Sequence, residues 1–139
     1  LFRLQNPEGP EDTDFPESLG VIIETPGFLT QYTGMKNLEI LANMQRLISK
    51  ADIRLILRKV GLDPDMKKPV GKYSLGMRQR LGIAQAIMED PRLLILDEPF
   101  NGLDKHGVAE IRELLLELKA AGKTILLASH NEEDIRPCI

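Results

Sequence analysis

A chain of 139 residues fits one domain, and its 42% apolar content can build a core while its 28% charged content excludes a membrane-embedded protein. With 18 basic and 21 acidic residues the net charge is -3, so nothing attracts a polyphosphate backbone and nucleic acid is not an expected partner. No stretch approaches the roughly 20 consecutive apolar residues of a membrane helix, residues 1–10 lack a secretory leader pattern, and the single Cys138 permits neither a disulfide framework nor a multi-cysteine zinc site. A reducing cytoplasm suits such a chain, and any membrane role has to come through a partner.

Residues 1–18 carry three prolines and the acids Glu11, Asp12 and Asp14 without apolar periodicity, and read as a tail or linker. Leu19-Gly20-Val21-Ile22-Ile23 reads as a buried strand that ends at Glu24-Thr25-Pro26-Gly27. From Met35 the pattern turns helical, with Leu38, Leu41 and Ala42 on one face. A second helix is predicted over 49–60, with Ser49 and Asp52 as a capping pair and Gly61 as its left-handed stop. Ser74 opens a third helix that reaches about Glu89 ahead of Pro91, and Leu93-Leu94-Ile95-Leu96 follows as a second buried strand. After Asp104, Val108, Ile111, Leu115 and Leu118 keep helical spacing up to Gly122, and Thr124-Ile125-Leu126-Leu127-Ala128 is a third strand. Apolar strands joined by crossover helices indicate an α/β fold with a mainly parallel sheet, while residues 35–89 are almost wholly helical. The expected organisation is a tail (1–18), a strand and following loop (19–34), a helical subdomain (35–89) and the remainder of an α/β core (90–139).

The segment LLILDEPFNGLD, residues 93–104, brings Asp97 and Glu98 to the carboxyl end of a strand, where open α/β sheets bind ligands. Two adjacent acids there divide naturally into a ligand for Mg²⁺ and a group that polarises an attacking water, although a solvated acidic pair is the alternative. Tyr73-Ser74-Leu75-Gly76-Met77-Arg78-Gln79-Arg80 is a polar turn directly before a helix. Free backbone N–H groups and the positive dipole end converge there, so the turn is either an anion site or an ordinary serine cap.

Taken in order, these segments resemble the ABC ATPase family over roughly residues 12–134. YSLGMRQRLGIAQAI resembles its signature segment, LLILDEP its Walker B strand with the following glutamate, NGLD its D-loop, and ASHN its switch-histidine segment. Leu75 and Met77 stand where the family usually has glycine and glutamine, and Glu24 where it usually has the Q-loop glutamine. The variant signature and the stretch IIETPGFLTQYTG are similar to the branch serving antimicrobial-peptide export and lantibiotic immunity. The resemblance implies ATP and Mg²⁺ as cofactors, Asp97 on the metal, Glu98 as general base and His130 at the γ-phosphate. It implies that Ser74, Leu75, Gly76 and Met77, with Asp104 across the interface, complete the nucleotide site of a second nucleotide-binding subunit. A transmembrane permease is the implied partner, with the chain cytoplasmic and peripheral to the inner membrane face. Glu24 is a further oxygen ligand for the metal, although its charge also repels phosphate.

A phosphate-binding P-loop requires G-x-x-x-x-G-K-[ST] between a strand and a helix. No such segment occurs; Gly122-Lys123-Thr124 runs from a helix into a strand and has Glu117 at the leading glycine position. The reading is therefore a piece of the nucleotide-binding domain, a partial P-loop NTPase fold that is nearly inactive alone. Rivals are a soluble ABC-type ATPase of translation or repair and a non-catalytic interaction module. His106, with no partner acid at ligand spacing, is read as surface, and Gln31, Asn37 and Asn43 receive no role.

Overall fold

A computed structural model describes residues 2–4, 19–22, 27–45 and 48–128, with backbone only for 2–4, 19–22 and 45. The elements run β1 (Phe2–Leu4), β2 (Leu19–Ile22), α1 (Gly34–Gln45), α2 (Lys50–Lys59), a 3₁₀ turn (Val70–Lys72), α3 (Leu75–Met88), β3 (Leu93–Asp97), α4 (Lys105–Ala120) and β4 (Thr124–Ala128).

The helices start and stop where local chemistry directs. Ser49, Ser74 and Asp104 have extended backbones and accept from the N–H three residues on, at Asp52, Met77 and Gly107. Gly61 and Gly122 follow α2 and α4 with φ of 86° and 97°, a region that glycine occupies without steric penalty.

One sheet has the order β1-β4-β3-β2. β2, β3 and β4 are parallel, in the registers Val21↔Ile95 and Ile95↔Leu126, whereas β1 runs antiparallel to β4 through Phe2↔Leu127 and Leu4↔Ile125. This corrects the expected tail at Phe2–Leu4. Three residues are too few to display a period; the pairing comes from β4, whose outer edge presents N–H and C=O groups that require partners.

Along β3 and β4 burial alternates, Leu94, Leu96, Ile125 and Leu127 being fully packed and their neighbours half-buried, apart from exposed Asp97 at the end of β3. These four share a core with Leu81, Ile83, Ala84 and Met88 of α3, Ile111 and Leu115 of α4, and Leu38, Ile53 and Leu57 of the helical segment. Each of the leucine, isoleucine and methionine side chains contributes about 1.5–3 kcal/mol on burial. α3 is buried on nearly all sides, through Gly76, Leu81, Gly82, Ile83, Ala84, Ala86 and Met88, as befits a central helix. It joins the helical segment to the sheet: Arg80, midway along it, donates to the Val60 carbonyl (2.8 Å) at the end of α2 and to Glu110 of α4 (3.1 Å).

Candidate functional site

The two acids lie at the end of β3. Asp97 is its exposed last residue, in register with Ala128. Glu98 leaves the strand with φ of 49°, a left-handed conformation that a residue with a side chain keeps only when its surroundings enforce it. Three hydrogen bonds do so. Its N–H donates to the Ala128 carbonyl (2.7 Å), and its carbonyl accepts from the Asn101 N–H (3.1 Å) and from the side-chain amide of Gln79 on α3 (3.0 Å). The turn continues through buried Phe100, which lies under the Arg112 guanidinium at 5.8 Å, and through Gly102 with φ of 80°. It ends at Asp104, whose carboxylate caps α4 by accepting from the Gly107 N–H (2.7 Å).

The start of α3 rests on this turn. Ser74 Oγ accepts from the Met77 N–H (3.1 Å), which leaves the hydroxyl proton to donate elsewhere, and the N–H groups of Leu75 and Gly76 fall in the first turn, where no intrahelical partner exists. Leu75 is half exposed and Met77 packs against the core. Gly76 is buried, and a β-carbon on it would stand 2.6 Å from the Gly102 carbonyl oxygen. The close approach that this glycine permits is to the 98–104 turn of the same chain.

Below the helix start, Tyr73 is buried and its hydroxyl accepts from the Gly34 N–H (3.2 Å); burial raises its pKa, an effect opposed by that hydrogen bond. The stretch before Tyr73 pairs with the loop before α1, through Val70 N–H to the Tyr32 carbonyl and Gly71 N–H to the Thr30 carbonyl, each 2.9 Å. Asn37, given no role from sequence, is 4% exposed and organises that loop. Its Oδ1 accepts from the Leu29 N–H (2.8 Å) and its Nδ2 donates to the carbonyls of Leu29 (3.0 Å) and Thr33 (2.9 Å). A polar residue one turn into a helix gives no sequence sign of such a task.

Glu24 and His130 lie outside the described residues. Asp97, Glu98, Ser74, Leu75, Gly76, Met77 and Asp104 are gathered on or around the 98–104 turn and the α3 start. For Mg²⁺, the exposed carboxylate of Asp97 suits a hard cation that retains most of its waters. No group of three or more His, Cys, Asp or Glu able to hold a metal occurs among the described residues. His106 is exposed, as expected, but it has the acidic neighbour denied to it from sequence, Glu110 at 2.8 Å one turn along α4. No described helix is long and apolar enough to cross a membrane.

The family model described as ABC transporter matches residues 2–101. Among curated proteins, the chain is 46% identical over 125 residues to the uncharacterized ABC transporter ATP-binding protein YybJ of Bacillus subtilis, covering 90% of this chain and 57% of that protein. It is 52% identical over 113 residues to the bacitracin transport ATP-binding protein BcrA of Enterococcus faecalis, covering 81% and 37%. To the lantibiotic transport ATP-binding protein SrtF of Streptococcus pyogenes it is 44% identical over 112 residues, covering 81% and 48%. The chain thus spans about half the length of these relatives or less. A solved ATP-binding subunit of an ABC transporter superposes with a TM-score of 0.73 at 32% identity, over 86% of this chain and 51% of that one. The dimeric cassette MJ0796 bound to ADP and Pi shares the fold, with a TM-score of 0.76 at 22% identity, over 86% and 55%.

Proposed function

Because the chain belongs to the ABC transporter family, we propose that it supplies the hydrolytic turn and signature helix of an ATP-binding subunit that powers a membrane-spanning permease. The observation that carries this reading is the left-handed Glu98, pinned between β4, α3 and its own turn at the strand end that also bears Asp97. Strain of that kind concentrates where a functional group needs a fixed place. Glu98 is the general base, accepting the proton of the water that attacks the γ-phosphate. Asp97 holds Mg²⁺ through water, and the ion when bound neutralises phosphate charge. His130 contacts the γ-phosphate.

The α3 start, with the Ser74 hydroxyl, the first-turn N–H groups of Leu75 and Gly76, and Met77 beside them, faces ATP held by a second nucleotide-binding subunit, and Asp104 lies across the same interface. A helix N-terminus is suited to phosphate through its dipole and unpaired donors. The dimeric state of the MJ0796 cassette supports a paired arrangement. The subunit works on the cytoplasmic face of the membrane. Relatives named for bacitracin and lantibiotic transport support antimicrobial-peptide export or immunity as its task.

The deciding experiment uses the full-length cassette, with its phosphate-binding P-loop. Glu98→Gln should keep ATP binding and lower turnover by about 10²-fold or more, the range for loss of a positioned base. Turnover near that of the parent would refute the assignment. Disrupting the gene should raise sensitivity to bacitracin or a lantibiotic; unchanged sensitivity to both classes would remove the proposed substrate.

A further inference from the structure

The Gln79 side chain reaches across an element boundary to a backbone group. It stands on the second turn of α3, half-buried, and its Nε2 donates to the Glu98 carbonyl at 3.0 Å. A surface glutamine would satisfy this amide with water. Here the bond fixes the peptide that follows Glu98, and with it the ψ of a residue already in the left-handed region. The first turn of the same helix meets the far end of the same loop, because Leu75 and Gly76 lie against Gly102. A β-carbon on Gly102 would fall 2.7 Å from Leu75 Cγ and 3.1 Å from the Gly76 nitrogen. The 98–102 turn is therefore gripped by α3 at both ends, by contact at Gly102 and by one directed hydrogen bond at Glu98.

We infer that Gln79 is a positioning residue for Glu98, making the start of α3 and the carboxylate of its own chain a single mechanical unit. The inference rests on the reading of Glu98 as general base. Freed of Gln79, the Glu98 carbonyl still accepts from Asn101 and the N–H still donates to Ala128, so the turn persists with a looser ψ. Such a change alters where the carboxylate points without altering ATP affinity, because Gln79 bonds the backbone behind the base and not the nucleotide.

The test measures kcat, KM for ATP and the thermal unfolding midpoint in the full-length cassette for Gln79→Met, which keeps length and removes the donor. Gln79→Glu, which keeps shape and places a carboxylate oxygen against the carbonyl, replaces it if the first variant does not fold. The variant used is made alone and with Glu98→Gln. The expected result is a kcat ~10- to 100-fold lower, the scale of a misplacement of order 1 Å, with KM within about twofold and the unfolding midpoint retained. Combined with Glu98→Gln, the Gln79 change should lower single-turnover hydrolysis no further, since the group it positions is gone. Unchanged kcat, or an equal proportional loss in both backgrounds, overturns the inference, the second result marking a merely structural role. A large loss in Glu98→Gln with none in Gln79→Met sinks the positioning role alone; full turnover in Glu98→Gln sinks the base assignment and the inference together.

Discussion

The turn after β3 and the corner after α2 are both polar connections of a few residues, yet they are held in different ways. In the 98–104 turn, backbone groups meet partners far away in sequence: Gln79, Gly76 and Ala128 fix Glu98 and Gly102 from two other elements. In the corner, a short and bidentate ion pair joins Arg54 Nη1 and Nη2 to Asp65 Oδ1 and Oδ2 at 2.7 and 3.0 Å, and the Asp65 side chain is 68% exposed. Judged by distance the two are bonded alike. Judged by what happens when a partner is removed, the turn ranks first, because water replaces an exposed charge partner and cannot replace a buried backbone contact.

The largest effect is expected from Gly76→Ala, which adds a single methyl group between α3 and the turn. Its β-carbon would stand 2.6 Å from the Gly102 carbonyl oxygen, a backbone atom with no rotamer to escape into, so the helix start and the turn must separate. Overpacking of this kind should destabilise the full-length cassette by about 1–3 kcal/mol in urea unfolding and lower turnover as the turn shifts. Unchanged stability and turnover would break the comparison at its stronger end. The same geometry affects how a trans site is tested: a bulky Gly76 variant strikes its own Gly102 before it can reach a partner's phosphate. The exposed Ser74 and Leu75 are the better probes of the second subunit.

A smaller effect separates the kind of contact from the region in which it occurs. Tyr73 lies in the helical segment, as the corner does, but its hydroxyl accepts from the Gly34 N–H in a buried place. Tyr73→Phe leaves that amide without its acceptor and should lower stability by about 1–3 kcal/mol, toward the lower end because the lost bond is long. Burial raises the Tyr73 pKa above its ordinary 10.0, an effect opposed by the hydrogen bond from Gly34, so deprotonation occurs more readily in the unfolded chain. Its contribution is fully present below the unfolded value and is lost as pH rises through the folded one. Stability should therefore fall above about pH 10, less steeply in Tyr73→Phe. Identical alkaline slopes would show that the hydroxyl is not what couples the two segments.

The parts of this fold that could be read from sequence are those whose causes are local. Ser49, Ser74 and Asp104 cap helices through an N–H three residues on, and Gly61 and Gly122 stop them by a left-handed φ; such interactions span a few positions and leave a visible pattern. The strand that ends in Asp97, just before Glu98, is equally plain from its run of leucines and isoleucine. β1 is invisible because its strand character derives from the edge of β4, some 120 residues later in the chain. Gln79 and Asn37 are invisible for a related reason. A glutamine or asparagine inside a helix looks solvated until the fold brings a carbonyl to it, 19 residues away for Gln79. The roles of Glu24 and His130 derive from the family resemblance alone, since both lie outside the described residues.

The smallest effect is expected at the corner, and it tests the comparison from its weaker end. Arg54 holds Asp65 by direct hydrogen bonding and by charge, which lowers the Asp65 pKa from its ordinary 3.8. A depressed carboxylate stabilises the fold above its unfolded pKa and loses that contribution as pH falls through its folded one. Were the pair important, Asp65→Asn would therefore weaken the protein at neutral pH and flatten its acid-induced loss of stability. Both groups are solvent-screened, and fixing the long arginine side chain in one geometry opposes the attraction, so neither effect should be resolvable. Arg54→Ala and Asp65→Asn should unfold with the parent midpoint at neutral pH, follow the parent curve in acid and leave turnover unaltered. Raising the salt concentration should shift all three proteins together. If instead either variant lost as much stability as Tyr73→Phe, bidentate geometry at the surface would outweigh burial, and the ranking of the two turns would have to be inverted.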